Sequence, residues 1–148
     1  MRGGSVAEIV GLSVRLRGLS LGRVVDVVLD QDARRAVGLE IHCGDDERRF
    51  LPLAGAHLSP DGVEVRSALV MLDEAELGFY RERGTTLAAV RGALVTRKGD
   101  PVGTLDDLLL GPGDVVAALV VSTADGPEGV PFGHDVAVGR PRSVGAAS

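Results

Sequence analysis

The chain has 148 residues, of which 45% are apolar and only 3% aromatic, and a formal charge of -5 at pH 7. Net charges of -1 over residues 1–71, -2 over 72–84 and -2 over 85–148 leave no cationic arm, which argues against direct nucleic-acid binding because phosphate neutralisation supplies most of that affinity. Cys43 is the single cysteine, so no intramolecular disulfide can form. The most apolar runs, Val24 to Leu29 and Val115 to Val121, are far shorter than the ~20 residues a membrane-spanning helix needs. Met1 to Val10 has no sustained apolar stretch of the secretory kind, and the expectation is a soluble cytoplasmic protein without a membrane span.

In chain order, Leu12 to Arg17 reads as a strand, Gly18 to Gly22 as a tight turn and Arg23 to Asp30 as a second strand, together a hairpin. Strict alternation puts Val25, Val27 and Leu29 on one face of the second strand and Val24, Asp26, Val28 and Asp30 on the other. Further strands are expected at Ala36 to His42, Arg48 to Leu53 and Gly62 to Arg66, separated by polar turns, which suggests a small barrel. Asp73 to Arg83 carries a helix signature: Asp73 can cap, Glu76 completes a D-x-x-E box, Gly84 can terminate, and Leu72 and Leu77 suit a hydrophobic staple. With Leu77 and Tyr80 on one side, the helix is expected to pack onto a barrel. Ala93 to Arg97, a turn at Lys98 to Gly103, Thr104 to Leu110 and Val115 to Ser122 repeat the opening plan, and a mobile tail is expected after Gly139.

That repetition has a fixed register. Gly92 stands 81 residues after Gly11, and the same offset pairs Val14/Val95, Gly18/Gly99, Gly22/Gly103, Asp26/Asp107, Leu29/Leu110 and Ala36/Ala117 without a gap. Three of the seven identities are glycines at fixed mutual spacing. Pro52 and Pro131 correspond at an offset of 79, so the second copy is trimmed at its far end.

The motif G-x-x-V-x-x-x-G-x-x-x-G-x-x-x-D-x-x-L at Gly11 to Leu29, and again at Gly92 to Leu110, resembles the opening of PRC-barrel domains. The later Pro in Phe50-Leu51-Pro52-Leu53 and in Val130-Pro131-Phe132 is similar to the family's usual strand ending. The resemblance implies a mainly β fold: two small PRC-type β-barrels in tandem with a short connecting helix. It divides the chain into a first repeat at 7–71, a connecting helix at 72–84, a second, shorter repeat at 85–139 and a flexible tail at 140–148. Barrels of this family mainly bind other proteins, so the resemblance implies a non-enzymatic adaptor or scaffold. A ribosome- or RNA-associated factor and a small-ligand-binding barrel are the alternatives, and homo-oligomerisation stays open.

No catalytic, metal or cofactor constellation stands out. His42, Cys43, His57 and His134 lack a ligand spacing such as C-x-x-C or H-x-x-x-H, and adjacent strand residues such as His42 and Cys43 point to opposite faces. Asp45, Asp46 and Glu47 suit a solvated turn. Gly18 to Gly22 and Gly99 to Gly103 lack the Lys-Ser/Thr of a phosphate-binding loop. Asp26 and Asp107, recurring in both copies, are expected to make a repeated structural hydrogen bond. The candidate site is a basic patch for acidic partners made of Arg34, Arg35, Arg48 and Arg49.

Overall fold

The computed structural model describes residues 4–139; the expected tail at 140–148 lies outside them. The first unit opens with helix α1 (Val6–Ile9) and continues through strands β1 (Ser13–Leu16), β2 (Leu19–Leu29), β3 (Ala36–Cys43), β4 (Arg48–Pro52), β5 (Ala56–Ser59) and β6 (Gly62–Val65). Helix α2 (Glu74–Arg83) connects it to β7 (Thr85–Thr86) and helix α3 (Leu87–Val90), which open the second unit. That unit continues as β8 (Leu94–Arg97), β9 (Asp100–Leu110), β10 (Val116–Thr123), β11 (Gly126–Pro131) and β12 (Val136–Val138). The strand orders are β4-β3-β2-β1-β6-β5, with β7 also on β2, and β11-β10-β9-β8-β12. The fold is mainly β, as expected.

The hairpin that opens each unit is tighter than the glycine spacing suggests. Its loop is the two residues Arg17-Gly18, with φ of 51° and 83°, and in the second unit Lys98-Gly99, with φ of 52° and 85°. Two positive φ values make the primed turn whose twist matches the flanking strands. Gly22 and Gly103 therefore lie inside β2 and β9, beyond the turn. A Cβ on either would strike a carbonyl oxygen of the neighbouring strand, that of His42 or of Ser122.

The strict alternation expected along β2 fails at one place. Val25 is an extra residue where β2 pairs with β3, and Asp106 is the corresponding extra residue where β9 pairs with β10. Such a bulge resets the side-chain phase, so Val24 joins Val27 and Leu29 in the core while Val25 is only half-buried. The pairing registers also correct the repeat. Leu29 pairs with Ala36, whereas Leu110 pairs with Val116. The turn before the third strand is thus one residue shorter in the second unit, and Val116, not Ala117, is the counterpart of Ala36. Pro52 and Pro131 do occupy matching places, opposite Gly38 and Ala118.

The two units are interlocked. Ser5 bridges to Leu109 of β9, and Thr85-Thr86 pair with Leu29 and Val28 of β2, so each opening segment adds to the other unit's sheet. Ser5 caps α1 and Thr86 caps α3. Asp107 then accepts hydrogen bonds from the Ser5 hydroxyl and from the backbone N–H of Ala7 at 2.9 Å. Asp26 does the same for α3, accepting from the Ala88 N–H at 3.2 Å and from the Thr86 side chain. The recurring aspartates make the expected repeated hydrogen bond, but across the units. At Arg35 and Val115, which pair with each other, the chain crosses its own pseudo-two-fold axis. One continuous core runs from Val6, Ile9, Val14 and Leu39 through to Leu108, Leu119 and Val136, so the partition at 7–71 and 85–139 describes the strands but not separate cores.

The connecting helix forms as expected. The Asp73 carboxylate accepts from the Glu76 N–H at 3.1 Å, and the Gly84 N–H closes the last turn on the Tyr80 carbonyl. Leu77, Tyr80 and Leu72 cover Val28, Phe50 and Val37 on the outer face of the first sheet, with the Phe50 and Tyr80 rings stacked at 4.3 Å. The units close differently: β6 runs parallel to β1, whereas β12 runs antiparallel to β8. Strand β5 escapes the sequence reading, although Pro60-Asp61-Gly62 after it is a turn signal.

Asp26→Ala and Asp107→Ala are each expected to cost about 1–2 kcal/mol, the usual loss on removing a helix-capping oxygen, measured by urea denaturation. The Asp26 carboxyl lies above its ordinary value of 3.8, chiefly because burial disfavours its charge and in small part because Glu40 is opposite, against the hydrogen bonds that lower it. A raised folded value means the folded protein binds the proton more tightly, so this stability is full at low pH and is lost as pH rises through the folded value. Asp26→Asn, which keeps an accepting oxygen, should therefore gain stability relative to the wild type as pH climbs above about 4. A flat difference between pH 3 and 7, both rough limits for the titration, would contradict that account.

Candidate partner-binding surfaces

The four arginines singled out by sequence do not form one open patch. Arg34 donates to the carbonyl oxygens of Phe132 at 2.9 Å, Gly133 at 3.1 Å and Val136 at 2.7 Å, and its guanidinium lies 3.7 Å from the centre of the Phe132 ring. It ties the first unit to the end of the second. Arg35, at the pseudo-two-fold axis, donates to the Gly113 carbonyl at 3.2 Å. Arg48 reaches the buried Glu40 at 2.6 Å, and Arg49 holds Asp45 with two hydrogen bonds of 3.1 and 2.9 Å. Adjacent residues on β4 face opposite ways: Arg48 lies on the α2 side of the sheet and Arg49 on the Cys43 side. Strand alternation and the turn at the axis separate what the sequence brings close.

A different cationic surface assembles on the outer face of the first sheet. Arg48 pairs with His42, His42 with Arg23, and Arg23 with Ser13, which makes one row across four strands. Arg15 lies two residues along β1 on the same face, opposite Glu64 of β6. Arg23 donates to the Gly11 carbonyl at 3.2 Å and His42 lies 3.3 Å from Asp46, while among the described residues no carboxylate is within ion-pair distance of Arg15 or Arg23. The second unit repeats the row in register with Pro127, Ser122, Thr104 and Leu94, and Thr96 in the place of Arg15. One backbone carries both rows, so the fold does not require the charges of Arg15 and Arg23, whereas Arg48 answers the buried Glu40. The signal was present in the sequence as Arg15, Arg23 and Arg48 at outward strand positions, but it needs the cross-strand register to become a row.

The remaining candidates are dispersed. Cys43 is buried while His42 is half-exposed, and His57 and His134 are exposed on β5 and in the loop before β12. A shallow groove of about 410 Å³ lies beside Cys43, lined by Leu21, Asp45, Arg49 and Met71. Arg49 hydrogen-bonds Asp45 there and holds its carboxyl down at about 2, and Asp45 with Cys43 holds the guanidinium charge in turn. Both charges in the groove thus satisfy each other. Among the described residues no group of three or more His, Cys, Asp and Glu is placed to hold a metal ion, and no helix is long and apolar enough to cross a membrane.

Residues 1–69, which contain α1 and β1 to β6, match the family model of the PRC-barrel domain. The first unit is a PRC-barrel domain. The match stops short of α2, and the second unit is like the first in its turns, bulges and pairing registers. No curated protein matches the chain. The cationic row therefore belongs to the PRC-barrel unit, and the neutral row to the second unit.

Arg34→Ala should destabilise the protein by about 2–3 kcal/mol, since a half-buried guanidinium with three carbonyl partners is lost and those acceptors are left open. Arg15→Ala and Arg23→Ala, at exposed positions, should each stay within about 0.5 kcal/mol of the wild type. Thermal unfolding of the three variants checks the ordering.

Proposed function

We propose that the protein is a non-enzymatic adaptor that binds a protein partner through the cationic outer face of its PRC-barrel unit. The observation that carries this reading is the contrast between the row Arg48, His42, Arg23 and Arg15 and its neutral counterpart on the same backbone. The charges of Arg15 and Arg23, which the fold does not need, steer and orient a partner of opposite sign. The partner surface is acidic. The cytoplasm, whose reducing conditions suit the single buried thiol of Cys43, is the setting this reading implies.

A nucleic-acid partner fits the same face less well. The exposed Asp46 and Glu47 flank the row at one end and Glu64 at the other, where a continuous phosphate backbone would meet like charge. The row itself holds no Phe, Tyr or Trp on which a base could stack.

Affinity capture with the wild type and with the Arg15→Glu/Arg23→Glu variant, quantified by mass spectrometry, tests the proposal. The expected result is a discrete protein enriched at least about tenfold by the wild type, a difference of ~1.4 kcal/mol, and lost on charge reversal. Thr104→Glu/Thr96→Glu, the same change on the sister unit, should retain it. Recovery of equal amounts by all three proteins, or of ribonucleic acid in place of protein, would overturn the reading.

A further inference from the structure

Two arginines of the first unit stand side by side without an answering charge. Strands β1 and β6 run parallel with Arg15 opposite Glu64, and the same register carried two residues on places Arg17 beside Arg66, each just past the end of its strand. Arg17 is held in the primed turn at φ 51°, which fixes the base of its side chain. Among the described residues no carboxylate lies within ion-pair distance of either guanidinium. Like charges opposite each other on neighbouring strands cost stability. The second unit does not repeat that cost: Lys98 takes the turn position of Arg17, and the antiparallel β12 brings Asp135 beside it, with the Lys98 N–H donating to the Asp135 carbonyl at 2.8 Å. Both arginines line one groove of about 740 Å³, together with His57, Glu64, Ala56 and Val70, and sites for small molecules span roughly 300–1,000 Å³. Glu64 lies two residues before Arg66 on the same face and pairs with His57 of β5. The groove is thus doubly cationic at the turn and carries a single carboxylate further along. No Phe, Tyr or Trp lines it, so a nucleobase would find no ring of theirs to stack on.

We propose that this groove binds a small phosphate monoester with a hydroxylated body. The phosphate sits between Arg17 and Arg66, where a dianion offers its oxygens to two planar guanidinium forks and removes the repulsion between them. Hydroxyl groups of the body donate to the Glu64 carboxylate and meet the His57 ring, and its carbon skeleton lies against Ala56 and Val70. Glu64 repels a second anionic group, which sets a monoester with a neutral body apart from a ligand charged at both ends. The groove lies towards the β5 edge of the sheet, away from Arg48, His42 and Arg23. The inference does not rest on the protein partner read from that row, and its probes and variants lie outside it.

Isothermal titration calorimetry on the full chain tests the proposal, with glycerol phosphate, inorganic phosphate, glycerol and phosphoglycolate, which ends in a carboxylate, as the probes. The expected result is saturable binding of glycerol phosphate, binding of inorganic phosphate and of phosphoglycolate weaker by at least about tenfold, and none of glycerol. Arg17→Gln and Arg66→Gln should each weaken glycerol phosphate by at least about tenfold, the loss of charge-assisted hydrogen bonds to the phosphate. Lys98→Gln, at the matching turn of the second unit, should leave it unchanged. Without ligand, the two arginine variants should melt no lower than the wild type, because each removes a like-charge contact, and this separates a lost phosphate contact from a lost fold. Absence of saturable binding, equal affinity for inorganic phosphate and glycerol phosphate, or insensitivity to both arginine variants would overturn the proposal. So would an equal loss with Lys98→Gln, since attraction by charge alone would then account for the binding, and so would lower melting of both arginine variants, since the repulsion would then be absent.

Discussion

Asp26 and Asp107 each hold the first turn of a helix that belongs to the other unit, and the path of the whole chain follows from that exchange. A four-residue helix has no independent stability; its free N–H groups need acceptors. Here the local acceptor is the hydroxyl of Ser5 or Thr86, and the second is a carboxylate reaching across from the sister sheet. Because the aspartate sits next to a bulge, its side chain is turned towards the arriving helix instead of along the sheet face. Bulge, aspartate and capping hydroxyl form one device, and it occurs twice.

From that device the shared core follows. Helices α1 and α3 carry Val6, Ile9, Leu87 and Val90 into the interior, each from one unit to the other. The arrangement is that of a two-fold dimer written in one chain, with Arg35 and Val115 on the axis. It is not a symmetric object, however. Asp26 faces Glu40 across β2 and β3, while Asp107 faces Val120, so two carboxylates are neighbours in one unit and a single one stands in the other. Arg48 and Arg81 answer the extra charge of Glu40 and in doing so anchor α2. The polar group buried in the first sheet and the helix above it are thus a matched pair, which the second sheet lacks on both counts.

Much of this was legible in the sequence, because repeated glycines and an interrupted apolar pattern are local signals. The connecting helix, with Asp73, Glu76 and Gly84 at its ends, is legible almost to the residue, whereas the two longest strands are legible only in their second halves, because β2 and β9 begin four residues earlier, inside the stretches that the glycines mark as turns. What escaped was the part that depends on pairing. Hydrophobic alternation is blind to a bulge, so Val24 was assigned to the wrong face. Identity counting is blind to the exchange of one hydroxyl for another, so Ser5 and Thr86 were not recognised as the true start of the repeat. The four arginines fall apart into separate places for the same reason: Arg48 and Arg49 are neighbours along the chain but not on the surface, while Arg48, His42 and Arg23 are remote in sequence and adjacent across strands.

The tether formed by α2 has a consequence for how such a protein can change. Two separate copies of one repeat would have to find each other, would come apart on dilution, and would present two identical faces. Joined through a ten-residue helix, the halves meet at the high effective concentration of a short linker, so their pairing survives at any abundance of the protein. Each half is also free to take substitutions that its sister does not copy. One chain can thereby carry two dissimilar surfaces at a fixed distance and orientation, an asymmetry that no homodimer of a single unit could reach.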